Sequence, residues 1–207
     1  SYNSKDKKIA GTIKKYLEDI GFEVFVAHDD IPPSENFNDI ILKDIKRSDI
    51  FMPLLTKTYP ESKYADQETG FALCLQKKIM PLKLEIDPYG FISHIQAMPF
   101  NPLVLGDSCY DIARAIINDK EFHEIAINCL IRALYTSPTF NDTKFIVKIL
   151  WEVKKFSKEQ VEKIAKVGAK NHNVYRAYPA KPFLQHILEH YSAYVDPDLR
   201  SEIEMYV

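Results

Sequence analysis

The chain has 207 residues, 46% of them hydrophobic and 27% charged, with a net charge of −2. That length and balance describe a soluble globular protein with a real core, and the near-neutral charge points to neither nucleic acid nor an acidic membrane surface as a partner. No apolar run approaches the roughly 20 residues that span a bilayer and no secretory signal is expected, so Cys74, Cys109 and Cys129, which lack metal-ligand spacing, are expected as reduced, buried thiols in a cytoplasmic protein.

The first half alternates helix and strand. Ile9, Ile13, Tyr16, Leu17 and Ile20 form an amphipathic stripe over residues 5–20, closed by Gly21. "FEVFVA" (22–27) reads as a strand and "HDDIPPSEN" as a polar loop. Phe37, Ile40, Ile41 and Ile45 mark a second helix. "DIFMPLL" (49–55) is a second strand in which Pro53 needs explaining. "SKYADQETGFALCLQKK" (62–78) is a third helix and "IMPLKLE" (79–85) a third strand, again with a proline. "LVL" (103–105) is a short fourth strand, and Ile112, Ala113, Ile116 and Ile117 make 107–118 helical. Strands and helices alternating at these lengths imply an α/β fold, a parallel sheet with helices on both faces. Ligands then gather beyond the carboxyl ends of the strands, which puts the loops from His28 and Thr56 on the functional edge.

From about residue 120 strand signals vanish. Helices are predicted through Phe122, Ile125, Ala126, Cys129 and Leu130, and through Phe145, Ile149, Val153 and Phe156. Ser157 and Gln160 form a capping-box pattern ahead of Val161, Ile164 and Ala165. A last long helix carries Phe183, Leu184, Ile187, Leu188, Tyr191 and Val195. The expected division is 1–119 as the α/β domain and 120–207 as an all-helical C-terminal extension.

Within the third helix, Tyr64, Phe71 and Leu75 fall at i, i+7 and i+11, and Glu68 occupies position i+4 of that stripe. A carboxylate there is paired, neutral or lining a cleft, because a bare buried charge is too costly. Its plain alternative is a structural acid paired with a lysine or capping a helix.

The segments "SYNSKDK" (1–7), "GFEVFVAHDDIPPS" (21–34), "DIFMPLLTKTYPESKYADQETGFAL" (49–73) and "DPYGFI" (87–92) resemble, in order and spacing, a prokaryotic Toll/interleukin-1 receptor (TIR) domain. The resemblance implies a flavodoxin-like sheet whose first strand is largely missing ahead of Ser1. It also implies cleavage of NAD at the nicotinamide–ribose bond, with NAD as substrate and no cofactor. The family's essential acid is the Glu of a Trp-x-x-x-Glu pattern, which reads Tyr64-Ala-Asp-Gln-Glu68 here; Tyr replaces the usual Trp and keeps an aromatic face. Asn3 and Ser4 stand where the family's first loop meets the nucleotide, with helix capping the equal alternative. His28 is expected among the substrate-binding residues, and Phe25 is either a pocket floor or plain core. The loop Asp29, Asp30, Ile31, Pro32 and Pro33 corresponds to the one that mediates self-association and gates the site; its usual glycine is absent. The resemblance further implies an assembly-activated effector in anti-phage defence, with an unknown protein or ligand trigger acting at the helical extension.

No metal is expected. His28, Asp29 and Asp30 are adjacent and rarely all reach one ion, and His186 and His190, although four apart, have no further ligands around them. The rival to the enzyme is a catalytically inactive TIR scaffold working by protein–protein binding. A third reading, a nucleoside-processing transferase with a similarly placed Glu, fits the "QETGFA" context less well.

Overall fold

A computed structural model describes residues 1–30 and 37–207. The chain divides into two compact units, Ser1–Tyr16 with Val24–Cys109, and Leu17–Glu23 with Tyr110–Val207. A helix over Leu105–Asn118 runs across that division, so the change of residue pattern near 120 and the division in packing fall at different places.

The first unit is a parallel sheet with helices around it. β1 (Ile50–Phe51) pairs with β3 (Lys78–Ile79), and β2 (Leu54–Leu55) with β4 (Leu82–Lys83). These four segments are two interrupted strands. Phe51 faces Ile79 and Leu54 faces Leu82 in one continuous register, and the Met80 and Leu82 amides donate to Phe51 O and Pro53 O, each at 2.9 Å. Pro53 and Pro81 interrupt the strands because proline has no N–H to donate. Both still accept, and Pro81 O takes the Met98 amide at 2.8 Å. β5 (Met98–Pro99) lies beyond β4. On the other side of β2, the Ser1 nitrogen donates to Met52 O and the Leu54 amide donates to Ser1 O, both at 2.9 Å. That is the bonding pattern of one position in a parallel ladder.

Two expected strands are corrected. Residues 22–27 join no ladder among the described residues. The Val26 amide donates to the Asp30 carboxylate (2.6 Å) and the Asp30 amide to Val26 O (3.0 Å), which turns the chain into a short helix, α2 (Ala27–Asp30). Residues 103–105 are a turn and a helix start. The Leu103 amide is taken by Asn101 Oδ1 at 2.9 Å, and the fourth strand is β5 instead.

The helices follow the apolar periodicity more closely. α1 spans Lys7–Asp19, α3 Phe37–Arg47, α4 Ala65–Cys74 and α5 Leu105–Asn118. Beyond α1, Gly21 sits at φ +92°, with its amide on Glu18 O (2.9 Å) and the Phe22 amide on Leu17 O (3.1 Å). This is the glycine C-terminal cap that the sequence predicts. Ile41 and Ile45 of α3, Phe51, Ala72 of α4, Ile79 and Ile92 form one buried cluster.

The second unit is helical: α6 (His123–Thr136), α7 (Phe140–Leu150), α8 (Lys158–Lys170), α9 (His172–Arg176), α10 (Ala180–His190) and α11 (Pro197–Glu204). α8 packs on α6 and α11. Its predicted capping box is present, with Gln160 N on Ser157 Oγ (3.3 Å) and Ser157 N on Gln160 Oε1 (2.9 Å). The last helix does not reach Val195. α10 stops at His190, and α11 starts at Pro197, where a missing N–H costs nothing and Asp196 Oδ1 caps the Asp198 amide at 3.0 Å. Cys109 is buried as expected and Cys129 is partly buried, but Cys74 is exposed at the end of α4. Among the described residues no helix is long and apolar enough to cross a membrane.

Candidate functional site

The turn after β2 opens α4, so the first turn of this helix stands at the carboxyl end of the sheet. Three segments meet there. The Asp6 carboxylate accepts the hydroxyls of Thr56 (2.6 Å) and Thr58 (2.7 Å), and Asn3 Nδ2 donates to Thr58 O (2.7 Å). The Lys57 amide donates to Glu85 Oε2 at 2.9 Å, tying in the segment after β4.

Glu68 lies in the first turn of α4 and is partly buried. Its amide makes the opening helical bond to Tyr64 O at 2.8 Å. Among the described residues no lysine or arginine forms a salt bridge with its carboxylate. Its charge acts on the Ser1 ammonium, which burial holds below its ordinary range while Glu68 pulls the other way.

The face of α4 that packs is rotated from the one expected. Ala65, Thr69 and Ala72 are buried, whereas Tyr64 is 52% exposed and Leu75 38% exposed. Both lie just outside the helix, Tyr64 as its N-cap and Leu75 as its C-cap. Glu68 borders the packed stripe at i+3 from Ala65. Tyr64 and Glu68, four apart, are neighbours on the helix surface.

Two tyrosines hold this turn, and sequence reasoning missed both. Tyr59, in the 3-10 turn Tyr59–Glu61, is 1% exposed and packs with Leu55 and Ala65. Its hydroxyl donates to Ser1 Oγ (3.1 Å) and lies 3.0 Å from Thr69 Oγ1, which itself donates to Ala65 O (2.8 Å). Burial pushes the Tyr59 phenol up to about 12, with hydrogen bonds from Ser1 and Thr69 opposing and Glu68 adding to the rise. Tyr89 meets Tyr59 edge-on, centroids 6.5 Å apart, and donates to Asp66 Oδ1 at 2.7 Å. Burial first, then the Asp66 hydrogen bond, raises the Tyr89 phenol well above its usual range.

The other predicted residues are dispersed. Asn3 is buried and caps a 3-10 turn, its Oδ1 accepting the Lys5 amide at 3.1 Å; Ser4 is exposed within that turn. Phe25 packs against the Ile41–Phe51 core cluster, as a core phenylalanine does. His28 and Asp29 lie in the backbone of α2, with side chains outside the described residues, as are Ile31, Pro32 and Pro33. Asp30 is bonded within its own unit, to the Val26 amide and to Lys14 of α1. The His186 and His190 rings meet at a tilt with centroids 4.1 Å apart, and no group of three or more candidate metal ligands occurs among the described residues.

A family model described as TIR domain matches residues 1–107. No curated protein and no solved structure matches the chain.

Proposed function

We propose that this chain, which belongs to the TIR domain family, is a NAD glycohydrolase with Glu68 as its essential carboxylate. The observation that carries the reading is the state of that side chain. It is partly buried at the carboxyl edge of the sheet, free of lysine and arginine salt bridges among the described residues, and one turn from the half-exposed ring of Tyr64.

One carboxylate suffices for the chemistry. The nicotinamide of NAD is a cationic leaving group and departs neutral with the electrons of the broken C–N bond, so no acid is needed to protonate it, unlike an ordinary glycosidic bond. Positive charge grows at the anomeric carbon, and a fixed anion beside it stabilises the transition state most in a partly dry site. Water then adds at that carbon and releases a proton, giving ADP-ribose; attack by a second group of the same nucleotide would give a cyclic product. Tyr64 supplies a flat face against which a nucleotide ring can stack.

TIR domains commonly self-associate, and the reading includes activation by assembly in a cytoplasmic effector of prokaryotic anti-phage defence, with a protein or ligand trigger acting on the helical unit. The test is cleavage of a fluorescent NAD analogue at low and high protein concentration, with Glu68→Gln as the control. A second reading, an inactive scaffold, draws on Tyr64 standing in place of the family's Trp; it expects self-association with no NAD loss at any concentration.

A further inference from the structure

Tyr59 and Glu68 belong to different segments, yet one small network links them. The Tyr59 hydroxyl reaches Ser1 Oγ at 3.1 Å, Thr69 Oγ1 at 3.0 Å and Ala65 O at 3.5 Å. Ala65 precedes Glu68 by three positions and Thr69 follows it by one, so the hydroxyl grips the helix on both sides of the carboxylate. The ring is wedged against Leu55 and Ala65 and is 1% exposed, which leaves it no room to swing away. On the outer side of the same turn, Tyr89 holds Asp66 at 2.7 Å while meeting the Tyr59 ring edge-on.

A turn at the start of a helix is the part most prone to fray, since its first amides lack helical partners. Here it is pinned from the inside by a buried hydroxyl. We propose that Tyr59 is a positioning residue for Glu68, fixing the first turn of α4 so that the carboxylate keeps one aim at the carboxyl edge of the sheet; this rests on the NAD-cleaving reading above. Tyr59 is not itself the acid or base. It is sealed from solvent and keeps its proton through the physiological range.

Tyr59→Phe keeps the ring and removes only the hydroxyl. With the full chain and NAD, it is expected to lower kcat roughly tenfold or more, because small misplacements of a catalytic group are costly, while KM changes less than about twofold. Thr69→Val is expected to act alike, and Thr69→Ser, which retains a hydroxyl, to keep wild-type kcat. Rates are compared at a temperature where circular dichroism shows each variant fully folded, so that a loosened fold does not pass for a lost aim. Wild-type kcat in Tyr59→Phe, a change confined to KM, or an equal fall in Thr69→Ser overturns the inference while Glu68-dependent cleavage stands. Wild-type protein with no Glu68-dependent NAD loss overturns the underlying reading and this inference with it.

Discussion

The Tyr59 hydroxyl stands 3.0 Å from Thr69 Oγ1, and Thr69 is the residue that follows Glu68 on α4. The contact joins the turn after β2 to the helix it opens, so the candidate carboxylate rides on a segment anchored at a buried point. Tyr64, on the same turn, has no such side-chain anchor among the described residues and leaves half its surface to solvent.

Tyr64 is therefore expected to matter for substrate and little for folding. Tyr64→Ala should cut kcat/KM for NAD roughly tenfold, about 1.4 kcal/mol, within the range of a lost base–aromatic stack. Its unfolding free energy should change by no more than about 0.5 kcal/mol, as at exposed sites generally. Tyr64→Trp, which supplies the family residue, should raise kcat/KM. Steady-state kinetics and urea unfolding on the same preparations check both halves.

Gly70 occupies the interior of α4, and a Cβ at that position would meet nothing within 4 Å among the described residues. Its backbone is not in the positive-φ region. Gly70→Ala should stabilise the chain by about 0.5–1 kcal/mol through helix propensity and a less free unfolded state. Urea unfolding reads this directly. A stabilised variant that has lost NAD cleavage would mean that something in the working assembly fills that space.

Tyr59 sets an alkaline limit. Its phenol is raised from 10.0 to about 12 in the fold. The folded state therefore holds a proton that the unfolded state releases, and this contribution is complete below pH 10 and lost as pH rises toward 12. Two units correspond to about 3 kcal/mol. Wild type should lose more unfolding free energy between pH 8 and pH 11 than Tyr59→Phe does, measured by urea denaturation at both values. Equal losses would show that the hydroxyl is not shielded.

In the helical unit, Asn171 closes the end of α6. Its Nδ2 donates to Leu134 O (3.0 Å) and Tyr135 O (3.1 Å), while its Oδ1 caps α9 by accepting the Asn173 amide at 2.9 Å. Asn171→Ala removes all three and should cost about 2 kcal/mol. Asn171→Asp keeps the cap oxygen but loses the donors, and should fall between. Urea unfolding of the three proteins ranks them.

The helices were legible because their apolar residues recur at helical spacing, and because Gly21 marks one end by its positive φ and Ser157 another by its capping hydroxyl. The strands were legible as apolar runs but not as paired elements. Nothing local in "FEVFVA" says that Asp30 will take the Val26 amide. On α4 the large residues misled: Tyr64 and Leu75 flank the helix, and the buried face is built from Ala65, Thr69 and Ala72, too small to dominate a hydrophobic pattern. Glu68 was found through a motif. Tyr59 was not, because a tyrosine before Pro60 reads as loop, and its partners Ser1 and Thr69 lie 58 and 10 residues away.

The central claim is that the Glu68 carboxylate breaks the nicotinamide–ribose bond. The direct measurement is nicotinamide release from NAD by wild type and by Glu68→Gln, at matched concentrations high enough for self-association and with matched thermal unfolding. Release by wild type that falls at least about a hundredfold in Glu68→Gln is the predicted result. Equal release by the two proteins, or none from either in the associated state, contradicts it.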